Sequence, residues 1–231
     1  PDPEGANWKP EGYGKGKENL YQLAEKAGYK IAKTQKEAKK ITASDKKVIL
    51  IDEHLADSNT LAYNIDRKKN YWSLADYVKK GIDVIYNKTG FFMMCEAGKI
   101  DWACHANDAG SIVHDVLALT DAVQVAIDFA EKHPTDTLIL VTGDHETGGL
   151  SIGFAGTNYD TYLDTLANQK ISYAKFDEEY VANYKKNNVS FENAMKDVET
   201  LFGLKISDDK KDRLTLTEYE IQRLKNAYEL A

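Results

Sequence analysis

Three short apolar runs that do not alternate with polar residues limit most strongly what this chain can fold into. They span residues 48–51, 91–95 and 137–142. Runs of this length and composition are typical of strands that are covered on both faces. Apolar residues at helical spacing predict helices between and around the runs, at residues 17–27, 34–43, 73–85 and 109–132. The pattern predicts an α/β fold in which part of a parallel sheet is flanked by helices.

The chain changes character after residue 150. Residues 1–16 read as a loop, and residues 1–150 hold all three predicted strands, so we expect them to form a partial α/β core. Residues 151–231 are rich in Lys, Glu, Asn and Tyr and contain helical patterns with few strand signals. We expect them to form a mostly helical insertion or lid that begins near Tyr159, with the tyrosines packing between helices.

Charge and composition exclude several classes of function. Thirty Lys and Arg residues against thirty-seven Asp and Glu residues give a net charge of −7, which disfavours a primary role on nucleic acid or on an anionic membrane. No apolar run approaches the roughly 20 residues that a membrane-spanning helix requires. Two cysteines cannot supply a disulfide framework or a thiolate zinc site.

Two short motifs carry the candidate chemistry, because each follows a predicted strand. Asp101 and His105 are four residues apart and would share one face of a helical turn. Asp144 and His145 are adjacent, so both could reach one ion only from a loop, which Gly143 would permit. Carboxylate and imidazole suit Zn²⁺, and two such sites could clamp a phosphoryl group between two ions.

Each motif also has a purely structural interpretation. Asp101 could cap a helix, and His105 could be a buried histidine with satisfied hydrogen bonds. Asp144 and His145 could form a simple turn before the glycine pair 148–149.

Taken together, the motifs resemble those of the alkaline phosphatases. The resemblance rests on residues 91–101 with His105, and on Val141-Thr142-Gly143-Asp144-His145-Glu146-Thr147-Gly148-Gly149. Residues 65–67 and 73–77 also resemble the corresponding part of bacterial members. The similarity extends from about residue 28 to residue 149, which is about half of the chain.

The resemblance implies a role for each motif residue. It implies that Glu96 binds Mg²⁺, that Asp101 and His105 bind a first Zn²⁺, and that Asp144 and His145 bind a second. It further implies hydrolysis of phosphate monoesters through a phosphoserine intermediate. A homodimer and a periplasmic or extracellular location are expected for a full-length family member.

The departures from the family pattern are equally specific. The family's nucleophilic serine lies in an Asp-Ser-Ala type motif, for which Asp57-Ser58-Asn59 is the nearest candidate, and no histidine follows His145 to complete the first zinc site. We therefore expect an interior piece of a phosphatase, inactive alone, with weak or absent metal binding. Trp102 occupies a position that often lies near the phosphate.

Two alternatives remain open at this point. One is a non-catalytic metal-binding or interaction module. The other is a different enzyme of the same superfamily, of the phosphoglycerate mutase or sulfatase type.

Overall fold

A two-stranded parallel sheet lies near the start of the described chain. The structure is a computed structural model that describes residues 19–151, 153 and 160–231, so the predicted loop 1–16 and Tyr159 lie outside the described residues. Strand β1 (Lys30–Ala32) pairs in parallel with β2 (Val48–Leu50). The strand predicted at 48–51 is thus confirmed to within one residue. β1 has only three residues, too few for a pattern to be recognised in the sequence.

Helices make up most of the regular structure. They are α1 (Leu20–Lys26), α2 (Gln35–Ala38), α3 (Leu74–Ile85), α4 (Lys99–His105), α5 (Ala109–Ala130), α6 (Tyr173–Phe176), α7 (Ala182–Asn187), α8 (Phe191–Phe202) and α9 (Glu218–Leu230). The helices predicted at 73–85 and 109–132 are confirmed, and the described part of the helix predicted at 17–27 contains α1. The helix predicted at 34–43 ends after about one turn, at Ala38, and Ile41 beyond its end is only 2% exposed.

Side-chain caps fix where the two longest helices of the first region begin. Ser73 Oγ accepts a hydrogen bond from the amide of Asp76, whose carboxylate in turn accepts one from the amide of Ser73, so α3 begins with a capping box. Asp108 accepts a hydrogen bond from the amide of Ser111 at the start of α5. Such caps satisfy amide groups that the first helical turn leaves without partners.

The buried apolar residues form two clusters that hold the site's elements in place. The first joins the sheet to α2 and α3 through Ala32, Ala38, Ile41 and Val84. The second joins α4 and α5 to the preceding loop through Tyr63, Ala103 and Ile112, and Tyr173 of α6 packs against it. The second cluster therefore fixes α4, which carries the first candidate motif.

The segment 91–95 is covered on one face only. No residue of it pairs as a strand with any described residue, so the strand prediction is wrong here. Phe91 packs edge-to-face on Phe129 of α5, and the side chain of Met93 lies against Gly81 of α3. Phe92 and Met94, which point the other way, are 89% and 79% exposed.

The segment 137–142 behaves in the same way. It too forms no strand pairing within the described residues, which corrects the prediction of a third strand. Leu138 and Leu140 are exposed, whereas Ile139 between them is half-buried. A strand forms only where a neighbouring strand supplies backbone partners, and the described residues offer these two segments none.

The C-terminal helices are attached to the first region by specific hydrogen bonds. Asp108 accepts a hydrogen bond from the amide of Tyr173, and Asp66 accepts one from the amide of Ser172. Within the described residues, no helix is long and apolar enough to span a membrane. The boundary predicted at residue 150 stays a prediction.

Candidate metal centre

Helix α4 carries the first candidate pair at its exposed face. Asp101 Oδ2 and His105 Nε2 lie 3.5 Å apart, as the four-residue spacing on a helix predicts. Gly98, not Asp101, is the N-cap of α4, and the His105 side chain is 70% exposed. The structural interpretations of Asp101 as a cap and of His105 as a buried histidine are therefore wrong.

The second candidate pair lies in a loop, as its adjacent positions require. Asp144 and His145 belong to neither a helix nor a strand. Asp144 Oδ2 and His145 Nε2 are 3.5 Å apart, and both side chains are mainly exposed. The loop thus turns two consecutive side chains toward each other, which a strand could not do.

The separation within each pair fits the ligands of one zinc ion. Two ligand atoms, each about 2 Å from a tetrahedral ion, are separated by about 3.3 Å. Each pair can therefore supply two of the four ligands. Among the described residues, however, no group of three or more His, Cys, Asp or Glu side chains gathers tightly enough to hold a metal ion.

The loop of the second pair docks on the helix of the first. Gly148 has a φ of +78°, and a Cβ at this position would overlap the carbonyl oxygen of Cys104 at the end of α4. Only glycine tolerates both the left-handed backbone and the close approach. Thr147 Oγ1 donates a 2.7 Å hydrogen bond to Asp101 Oδ1 and lies 3.1 Å from His145 Nδ1. The structure therefore brings the two pairs to one hydroxyl group.

Glu96 lies beside a different cavity. Its carboxylate folds over Gly98, and it lines a small cavity of about 80 Å³ together with Asp52, Lys99 and Asp115. Carboxylate oxygens are suitable ligands for Mg²⁺. The assignment of Glu96 to a Mg²⁺ site stays a prediction.

Lys99 forms a contact that the sequence did not indicate. Its ammonium lies 2.8 Å from Asp57 Oδ1 and within 4.3 Å of the ring centres of both Tyr63 and Trp102. The Lys99 side chain is only 10% exposed, so the ion pair and the two rings enclose it. Trp102 also packs against the buried cluster of Tyr63, Ala103 and Ile112, which helps to hold α4 in place, and its position near a phosphate stays a prediction. Asp57 and Lys99 are 42 positions apart, and no local pattern joins them.

Two titratable groups near the site have displaced pKa values. Burial raises the pKa of Asp115 from its usual 3.8 to about 6, although a hydrogen bond from the Asn64 amide opposes the shift. Burial, together with the negative charges of Asp101 and Glu146, raises the pKa of the Cys104 thiol.

An α/β structure that brings two carboxylate–imidazole pairs together defines a candidate centre of a metal-dependent hydrolase. The sequence profile of the alkaline phosphatases matches residues 2–215, and the chain belongs to this family. It is 33% identical over 210 residues to alkaline phosphatase 3 of Bacillus subtilis, covering 90% of this chain and 40% of that protein. It is 38% identical over 139 residues to alkaline phosphatase 4 of the same species, covering 60% of this chain and 29% of that protein.

A solved structure shows the same likeness in three dimensions. The cold-active alkaline phosphatase of a psychrophilic Shewanella species superposes with a TM-score of 0.71 at 25% identity, over 92% of this chain and 47% of that one. The family assignment and the α/β fold class are therefore confirmed. The chain spans less than half the length of these three relatives.

Proposed function

We propose that this chain is the metal-binding segment of a phosphomonoesterase. The Asp101–His105 and Asp144–His145 pairs would each hold Zn²⁺, and Glu96 would contribute to a Mg²⁺ site. The observation that carries this proposal is the docking of the second pair's loop on α4, which brings both pairs to the Thr147 hydroxyl. Zinc bound there would act as a Lewis acid on a phosphoryl oxygen and on a bound hydroxyl.

The other properties of the whole enzyme rest on family membership. They are a phosphate monoester substrate, a phosphoserine intermediate, a homodimer, and a periplasmic or extracellular location. The role of this chain's residues is to hold the ions and, through Lys99 and Trp102, to fix the helix that carries Asp101. The mutase or sulfatase alternative is not favoured, because the relatives reported above are phosphatases.

Zinc titration of the purified chain at pH 8 tests the proposed sites. We expect two weak binding events, because each pair supplies only two protein ligands and stable zinc sites usually have three or four. D101N should remove one event and D144N the other. D136N changes an exposed aspartate outside both pairs and should remove neither. Retention of both events in D101N and D144N would overturn the assignment.

A phosphatase assay tests the role of the chain on its own. With Zn²⁺ and Mg²⁺ present, we expect hydrolysis of an aryl phosphate far below the usual enzymatic range of about 1 to 1,000 turnovers per second. The reason is that the sequence contains no Asp-Ser-Ala type motif. Turnover within that range would show that the chain carries its own nucleophile, and S58A would then be the first variant to assay. Zinc binding without hydrolysis is also what a non-catalytic metal-binding module would show.

A metal-binding module and a phosphatase segment differ in whether their bound ions also bind phosphate. If the ions serve phosphoryl transfer, inorganic phosphate should bind more tightly to the zinc-loaded chain than to the metal-free chain, because two Lewis acids attract its oxygens. Equal phosphate binding by both forms would favour the module.

A further inference from the structure

The hydroxyl of Thr147 contacts both candidate ligand pairs, and it does so at atoms that face away from the proposed ions. It donates to Asp101 Oδ1, whereas Asp101 Oδ2 is the oxygen that lies 3.5 Å from His105 Nε2. It lies 3.1 Å from His145 Nδ1, whereas His145 Nε2 is the nitrogen that lies 3.5 Å from Asp144. In each pair, the carboxylate oxygen and the imidazole nitrogen that face each other are the atoms that would bind an ion. Thr147 contacts the other carboxylate oxygen of Asp101 and the other ring nitrogen of His145.

Hydrogen-bond chemistry then assigns the proton on His145. The Thr147 hydroxyl has one hydrogen, which it donates to the Asp101 carboxylate, so toward His145 its oxygen can only accept. His145 Nδ1 also lies 3.2 Å from the carbonyl oxygen of Glu146, which can only accept. Both neighbours therefore require the proton on Nδ1, and Nε2 is left with the lone pair that a metal ion needs.

The backbone holds Thr147 in this place. The next residue is Gly148, whose φ of +78° and contact with the Cys104 carbonyl seat the loop on the end of α4. Glu146 also closes the loop locally, because its carboxylate accepts a hydrogen bond from the amide of Gly149. Packing of the loop on α4 thus holds the Thr147 hydroxyl in its position.

We propose that Thr147 is a positioning residue that orients Asp101 and His145 together and so couples the two metal sites. The inference rests on the proposed function, because it assumes that the two pairs bind ions. Hydrogen bonds to the outward atoms of metal ligands fix ligand orientation and tautomer, and their loss typically weakens metal affinity by about 10- to 100-fold.

The test compares T147V, which removes the hydroxyl at constant shape, with T147S, which retains it. Zinc titration of the full chain should show both binding events weakened by about tenfold or more in T147V and restored in T147S. T142V is the matched control, because Thr142 lies in the same segment and its hydroxyl, among the residues that the structure describes, donates to the adjacent Gly143 carbonyl. Equal zinc affinities in wild type and T147V would overturn the inference and leave the proposed function standing.

A second measurement needs no metal and separates the two proposals. Long-range proton–nitrogen NMR of the metal-free chain at pH 8 reports which ring nitrogen of His145 carries the proton. We expect Nδ1–H in wild type and T147S, and a larger share of Nε2–H in T147V, which loses one of the two acceptors at Nδ1. The same tautomer population in all three proteins would overturn the inference. Failure of zinc to bind wild type, with the tautomer shift present, would instead overturn the proposed metal sites and retain the role of Thr147 on His145.

Discussion

Similar kinds of apolar residue occur in the helical region 160–231 and in the segments 91–95 and 137–142. The two parts of the molecule differ in how far these side chains are exposed to solvent. In the helical region, Met195 is buried, and Phe176 packs edge-to-face on Phe202. In the extended segments, Met94 and Leu140 are about four-fifths exposed. Met195 is thus a core residue of the helical region, whereas Met94 and Leu140 lie at the surface.

The difference follows from where each element finds its hydrogen bonds. A helix pairs its backbone within itself, so α8 and α9 need only side-chain contacts to become stable. The backbone of a strand pairs with that of a neighbouring strand. Its side chains point to two opposite faces, and different elements must pack on each face to bury them. Helices α3 and α5 cover one face of segment 91–95, and no described residue covers the other.

The largest effect on the free energy of unfolding should come from a methionine substitution in the helical region, compared with one in segment 91–95. Met195→Ala removes a buried side chain from α8 and should lower the free energy of unfolding by about 2 to 5 kcal/mol. Met94→Ala removes an exposed side chain and should change it by less than about 0.5 kcal/mol. Urea unfolding of both variants measures the difference. Equal losses would show that segment 91–95 is buried in solution.

Asp115 should give the next largest effect, and one that depends on pH. Its pKa of about 6 in the fold exceeds its ordinary value of 3.8, so between these pH values the folded chain binds more protons than the unfolded chain. Stability therefore falls as the pH rises through this window and levels off above pH 6. D115N, which does not titrate, should gain stability relative to wild type by about 2 to 3 kcal/mol between pH 4 and 7.

Asp212 in the helical region is a control, because its effect on stability should change with pH in the opposite direction. Lys205 lowers the pKa of Asp212 through an exposed ion pair. The stability that this pair contributes is present above the ordinary pKa of Asp212 and is lost as the pH falls through its lowered value. D212N should therefore show a small effect that disappears in acid. Parallel pH profiles for D115N and D212N would contradict the burial argument.

The hydroxyl of Tyr184 in the helical region should contribute less to the free energy of unfolding. Tyr184 is buried and donates a 2.8 Å hydrogen bond to Asp197 Oδ2. Tyr184→Phe removes this bond and should cost about 1.5 kcal/mol, because the acceptor is charged. Tyr219→Phe, at an exposed tyrosine, is the control and should leave the unfolding midpoint unchanged. Loss of stability in the control alone would reverse the assignment of which tyrosines pack the helices.

The smallest effect on stability should come from the exposed apolar faces themselves. Phe92→Lys and Leu140→Lys should each change the free energy of unfolding by less than about 0.5 kcal/mol. They should nevertheless reduce the binding of an apolar fluorescent dye and the tendency to self-associate, because contiguous exposed apolar surface promotes both. Sedimentation and dye fluorescence measure these changes. Unchanged dye binding would indicate that these faces are not accessible.

Sequence patterns predicted the longer helices of the first region and the local geometry of the two candidate pairs. The helices predicted at 73–85 and 109–132 and the shared face of Asp101 and His105 all depend on residues within a few positions of one another. The loop placement of Asp144 and His145 could also be foreseen, because two adjacent side chains can converge only where the backbone turns. These features were encoded locally, so local patterns were enough to find them.

Other features were decided by the tertiary structure alone. Thr147 reaches Asp101 across 46 positions, and Lys99 reaches Asp57 across 42, because packing of distant segments brings them together. The apolar composition of segments 91–95 and 137–142 predicted that they are buried. Composition indicates only that such side chains favour contact with other apolar residues. Whether a cover is present depends on the elements that pack nearby. The sequence alone determined the helices near 73–85 and 109–132, the spacing within the two candidate pairs and the family resemblance. The contacts of Thr147 with both pairs and the exposure of the two segments arise only when remote parts of the chain meet.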